Sequence, residues 1–134
     1  MSAAWLLSIF ITVSLPAQDW QLYFEREGEK FFVDYTPELI SINGIMVAVS
    51  REKIHHGIEY DIITWYYRVV DKRLQIARKS QIGYFKNGSI NFSAITIDTE
   101  LDWSFYQYQN NPHETKVLKS VFKVLKFQGP PLKP

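Results

Sequence analysis

Cysteine is missing from all 134 residues, so no disulfide can brace the fold and no lipid can be carried on a cysteine thiol. An excess of charge is missing too. Fifteen Lys and Arg face fourteen Asp and Glu, a net +1, which gives no reason to expect a polyanionic partner. No apolar run approaches the roughly 20 residues that a membrane-spanning helix needs. No serine lies in a Gly-x-Ser-x-Gly context and no glycine-rich phosphate loop occurs, so neither a hydrolase elbow nor a nucleotide cradle is written in the chain. Internal repeats and low-complexity segments are likewise missing.

What is present is a folded composition. Aromatics make up 16% and charged residues an ordinary 22%, which describes a packed chain with one core rather than a disordered one. The length suits a single domain.

The first segment differs in kind. "MSAAWLLSIFITVSLPAQDW" has no charged side chain before Asp19 and is apolar from Ala3 to Val13. That is the length of a secretory core segment, and Pro16-Ala17-Gln18 then breaks it beside a small residue. Cleavage after Ala17 or Gln18 is expected, giving a signal peptide over 1–18, one domain over 19–128 and a flexible tail over 129–134. No Lys or Arg precedes the apolar run, so a buried or amphipathic first helix is the competing reading. Under the export reading, a mature chain of roughly 116 residues lacks the cross-links on which small exported domains often depend. Packing alone must hold it.

After Trp20, turn signals recur at short intervals. "WQLYFER" and "KFFVDY" flank Glu27-Gly28-Glu29, and Thr36-Pro37 ends the second run because the residue before proline leaves helical space. "PELI" is long enough for one helical turn. Asn43-Gly44 is a strong turn dipeptide that opens "IMVAVSREKI", and "HHGIEY" reads as the next turn. "YDIITWYYRVV" and "RLQIARKSQIGYF" meet at Asp71-Lys72, and "KNG" leads into "SINFSAITID". Six candidate strands with short connections predict an antiparallel meander. The period then changes. Asn111, Pro112 and Glu114 form a helix start with reciprocal capping, and Val117, Leu118, Val121, Phe122 and Leu125 share one helical face. Gly129-Pro130-Pro131 stops the helix. The expected fold class is α+β: a six-stranded antiparallel meander with one C-terminal helix packed on one face. Trp103 is expected to plug the open end of that sheet–helix layer.

Candidate chemistry is sparse. His55 and His56 are adjacent, so on an extended chain they point to opposite sides and cannot share an ion without a turn. They read as solvent-exposed turn histidines, with no metal site and no cofactor expected. Asp98, Glu100 and Asp102 alternate as calcium-loop carboxylates can, but the glycine and final bidentate Glu of such a loop are missing, and a solvated loop is the expectation. Nothing sets a second carboxylate across a cleft from them, as a glycosidase would need. Arg68, Lys72, Arg73, Arg78 and Lys79 gather around Trp65, Tyr67 and Tyr84. Such interleaving can make a nucleic-acid platform, a protein- or glycan-facing surface, or an ordinary sheet face with solvated charges. Export and neutral charge argue against nucleic acid. Trp65, Tyr67, Arg68, Arg73, Arg78, Lys79 and Tyr84 are therefore the candidate binding residues.

Three stretches, taken in order, carry a resemblance. "FFVDYTPELISINGIMVAVSREK", "WYYRVVDKRLQIARKSQIGYFKNGSI" and "DWSFYQYQNNPHETKVLKSVFK" together resemble the surface-adhesin protein E family of small bacterial exported domains, over residues 20 to 126. The resemblance implies a six-stranded antiparallel sheet crossed by a C-terminal helix. It also implies a disulfide from the central hairpin to the helix end, where this chain has Val70 and Phe122, so a packed Val70–Phe122 pair is expected instead. Members named as adhesins bind host matrix proteins such as vitronectin and laminin. The resulting expectation is an exported, non-enzymatic binding protein, at the cell surface or in the periplasm, with a matrix or envelope protein as partner. A periplasmic accessory domain docking another envelope protein is the alternative. Homodimerisation through an exposed strand fits either.

Overall fold

The computed structural model describes residues 19–109 and 112–130. The expected signal peptide, the expected cap residue Asn111 and residues 131–134 lie outside the described residues. Eight strands form one antiparallel sheet: β1 (Trp20–Arg26), β2 (Glu29–Asp34), β3 (Glu38–Ile42), β4 (Ile45–His56), β5 (Glu59–Val70), β6 (Arg73–Tyr84), β7 (Ile90–Ile95) and β8 (Ser104–Phe105). Among the described residues a single 3₁₀ turn spans Asp98–Glu100, and one helix, α1, spans Pro112–Leu125. The fold is α+β, as the change of period predicts.

The main path of the sheet runs β1-β2-β4-β5-β6-β7, with β3 added to β4 and β8 to β6. Those six main-path strands are the six read from the sequence. The segment "PELI" is not a helical turn: Glu38–Ile42 pairs with Ile45–Val49, because the left-handed Asn43 (φ 51°) and Gly44 (φ 81°) close a two-residue hairpin turn. His55 and His56 are strand residues, since only Gly57 and Ile58 separate β4 from β5. Asp71 and Lys72 are left-handed as well (φ 52° and 62°) and join β5 to β6 without splaying them.

Three long strands, β4, β5 and β6, form the spine, and both flanks are broken at one level. On the outer edge of β4, β3 ends at Val49 and β2 begins at Glu52. On β6, β8 covers Gln75 and Ile76 whereas β7 covers Ser80 to Tyr84. The β5–β6 register shifts between Thr64 and Trp65. Ser50, Trp65 and Arg78 are aligned neighbours across the spine, so a fault line crosses the sheet there.

Alternation sorts the side chains into two cores. On the helix face, Ala48, Tyr67 and Leu74 are buried with Leu118 and Val121 of α1, the helical stripe predicted from spacing. On the opposite face, Val47, Val49 and Tyr66 are buried beneath Ile40, Ile42, Leu101 and Trp103. Trp103 thus belongs to the second core and does not plug the sheet–helix layer. The returning chain lays it over the far face, where the Arg68 guanidinium sits 4.0 Å from its ring centroid.

The Val70–Phe122 pair is also corrected. Val69 packs with the helix-side cluster that includes Phe122, and successive strand residues point to opposite faces. Val70 therefore faces away from the helix. Phe122 packs edge-on against Phe127 at 5.2 Å. The helix ends one turn before Gly129, in a Schellman motif: Phe127 N–H donates to the Phe122 carbonyl at 3.0 Å and Lys126 N–H to the Lys123 carbonyl at 3.3 Å. Lys126 takes the left-handed position (φ 54°) where glycine is usual.

Candidate functional site

Between the first turn of α1 and the sheet lies a groove of about 630 Å³. Its floor is the helix face of the spine: Ser50 and Glu52 of β4, Trp65 and Tyr67 of β5, and Ile76 of β6. Register puts Ser50 opposite Trp65 and Glu52 opposite Ile63 on one side and Val33 on the other, so Glu52 has apolar partners on both neighbouring strands. One wall is β1. A bulge between Leu22 and Phe24 sets both Tyr23 and Phe24 toward the groove, which re-aims side chains as bulges commonly do. The other wall is Tyr106, Pro112, His113 and Val117. The His113 ring closes the rim, edge-on to Tyr23 at 5.2 Å and to Phe24 at 6.0 Å.

Two carboxylates organise the polar contacts. Glu52 accepts hydrogen bonds from the Tyr23 hydroxyl and, at 3.5 Å, from the Trp65 indole N–H. Glu114 accepts from the Tyr106 hydroxyl at 2.7 Å and from the Gln109 backbone N–H at 2.6 Å. Glu114 thus also ties the helix start to residues before Asn111, the expected cap residue, which lies outside the described residues. Burial first, and then these carboxylate bonds, push the Tyr23 and Tyr106 hydroxyls far above their ordinary range. Burial does the same to Tyr67. These phenols stay protonated and act as donors. No Lys or Arg is among the described residues lining the groove. Arg51 and Lys53 flank Glu52 in sequence but alternate onto the opposite face, where Arg51 pairs with Glu38 at 2.7 Å and Lys53 lies 4.7 Å from the Tyr60 ring centroid.

The seven candidate binding residues do not form one patch. Trp65 and Tyr67 line the groove, although Tyr67 is only 5% exposed. Arg68 lies on the opposite face, stacked on Trp103 and donating to Gln75 at 2.7 Å. Arg73 covers the Phe105 ring at 3.5 Å. Arg78 donates to Gln81 at 3.2 Å, while Lys79 donates to the Thr96 carbonyl at 2.6 Å and to Asp98 at 2.7 Å. Lys79 thereby ties the returning chain to the sheet and neutralises one carboxylate of the Asp98–Glu100–Asp102 run. Tyr84 stacks on Tyr60 at 4.9 Å. It ends an aromatic row, Phe32–His55–Tyr60–Tyr84, that crosses four strands on the face away from the helix. Burial in that row lowers the His55 pKa, and Lys53 adds to the effect. His56 points the other way and pairs with Glu29 at 2.9 Å. Among the described residues no three His, Asp or Glu side chains converge as a metal site would require.

No protein-family model, no curated protein and no solved structure matches the chain. Tyr23, Glu52, Tyr106, His113 and Glu114 were not singled out as binding residues in the sequence. A signal existed for Glu52, the one acidic residue in the alternating set Ala48, Ser50, Glu52 and Ile54. The convergence of Tyr23 with Tyr106 depends on a bulge and a loop, which no spacing rule reports.

Proposed function

We propose that the protein is an exported, non-enzymatic binding domain whose ligand sits in the groove between α1 and the sheet. The observation that carries this is the groove itself. It is of small-molecule size, walled by aromatics and furnished with a few placed polar groups, which is the usual make-up of a ligand site. Its tyrosine hydroxyls are held protonated and engaged with carboxylates, which suits orientation and hydrogen bonding rather than proton abstraction. The resemblance to the surface-adhesin protein E family, with its sheet crossed by a C-terminal helix, supports export and adds a host matrix protein as a partner of the same domain, separate from the groove's ligand.

Amide-resolved NMR with a library of small fragments tests the groove. Shifts should gather at Tyr23, Glu52, the Trp65 indole and His113; shifts confined to other surfaces would remove the proposal. Protease treatment of intact cells tests the location, with cleavage expected for a surface protein. A second reading, a periplasmic accessory domain, is favoured by β7. This edge strand exposes Ile90, Phe92 and Ile95, each at least half accessible, and such an edge can accept a strand from another envelope protein or from a second copy.

A further inference from the structure

Resting on that assignment of the groove, we infer that its occupant is a small organic cation, an amine or quaternary ammonium compound carrying an apolar or aromatic body. Three features of the lining lead to this class. Glu52 places a carboxylate in the groove, beside the hydrogen-bonded Glu114, and no described Lys or Arg lines the groove. The aromatic side chains of Tyr23, Phe24, Trp65 and Tyr106 line the same space, and aromatic rings attract ammonium groups over their faces. Three of the donors in the lining are turned onto its carboxylates, Tyr23 and Trp65 to Glu52 and Tyr106 to Glu114, while the Ser50 hydroxyl and the His113 ring also line the groove. An anionic ligand would meet acceptors and negative charge, whereas a cation meets carboxylate and π-cloud together.

The position of Glu52 sharpens the case. It sits between Val33 and Ile63 in the middle of the sheet, and both neighbours are buried, at 3% and 7% exposure. A carboxylate on an apolar floor is costly unless it is bonded. Two donors are not the limit of what its oxygens can accept, so an ammonium N–H, or the polarised methyl groups of a quaternary head, completes its surroundings. A volume of about 630 Å³ falls in the range of small-molecule pockets, which favours a free amine over the single stem of a partner's lysine.

The test uses three compounds of one skeleton, phenylbutylammonium, phenylbutanol and phenylbutyrate, titrated into the folded chain and followed at the Trp65 indole N–H. The ammonium compound should bind about tenfold more tightly than the alcohol, the scale of one hydrogen bond to a charged group. The carboxylate compound should bind least. Glu52→Gln should erase the preference for the cation while leaving the alcohol bound. If that variant fails to fold, Glu114→Gln and the three-compound series on the unaltered chain still decide the matter. Equal or tighter binding of the alcohol or the carboxylate would overturn the ligand class and leave the groove assignment standing. Silence from all three would remove both. A short apolar peptide with one lysine, bound more tightly than the free amine, would overturn the small-molecule occupant.

Discussion

Tyr106 and Glu114, eight residues apart, are joined by a 2.7 Å hydrogen bond from phenol to carboxylate. The bond fastens the chain leaving β8 to the first turn of α1, and Gln109 N–H strengthens it from the backbone. Tyr106 also packs on the helix-side core beside Tyr67, with ring centroids 6.1 Å apart. Tyr106→Phe keeps the packing and loses the bond. It should cost about 1.5 kcal/mol in urea unfolding, the low end for a bond to a charged acceptor because the site is only partly buried. Glu114→Gln should cost less on the Tyr106→Phe background than on the parent, and additive losses would deny the coupling.

The left-handed Lys126 should be improved by glycine. A side chain in this conformation costs about 1 kcal/mol, and the Schellman bonds at Phe127 and Lys126 are made by the backbone alone. Lys126→Gly is expected to raise the melting temperature by several degrees. Gly129→Ala should do the reverse, since a Cβ there would come within 2.7 Å of the Phe122 ring.

Alkaline pH should unfold the protein through its buried tyrosines. Tyr23, Tyr67 and Tyr106 all have pKa values raised above the ordinary range by burial. An acid whose folded pKa exceeds its unfolded value stabilises fully below the unfolded pKa, about 10 for tyrosine. The contribution is lost progressively as pH climbs beyond that point toward the folded value. Tyrosinate absorbance from these residues should therefore rise together with the loss of near-ultraviolet circular dichroism. Complete ionisation of all eight tyrosines in a still-folded chain would contradict it.

Val69 and Val70 should differ sharply despite their adjacency. Val69→Ala trims the helix-side core and should cost about 1 kcal/mol or more, with Val70→Ala costing less. The doubly substituted chain, Val70→Cys with Phe122→Cys, should remain reduced under mild oxidant, because the two Cβ vectors lie on opposite sides of the sheet. Its ready oxidation would restore the pairing implied by the family resemblance.

How much of this was legible in the sequence follows from the range of the forces involved. The six main strands were readable because Asn43-Gly44, Gly57 and Asp71-Lys72 set hairpins by local backbone geometry. Strand β3 was missed although the same Asn43-Gly44 turn implies a partner on each side, since Pro37 and four residues suggest a helical turn equally well. Strand β8, two residues long, has no period to detect. The helix stripe was legible down to Leu118 and Val121, the residues it buries completely. The candidate site was not. Arg68 and Tyr67 are neighbours in sequence and stand on opposite faces, so a patch counted along the chain is divided by the sheet. The groove is made by residues from β1, β2, β4, β5, β6, the chain after β8 and α1, which only the folded sheet brings together.

The fault line through Ser50, Trp65 and Arg78 has a consequence for how the molecule comes apart. No flanking strand spans it, so cooperativity between the two halves of the sheet rests on the three spine strands and on the contact of His113 in α1 with Tyr23 and Phe24 of β1. Below it, the helix, β3, β8 and two cores should exchange their amides slowly and together. Above it, β1, β2 and β7 should open as a second, less protected block. Hydrogen exchange should show the boundary along β4 between Val49 and Glu52. Substitutions on the aromatic row of Phe32 and Tyr84 could then loosen one block while the other keeps its protection. Trp65, on the boundary itself, would report on both.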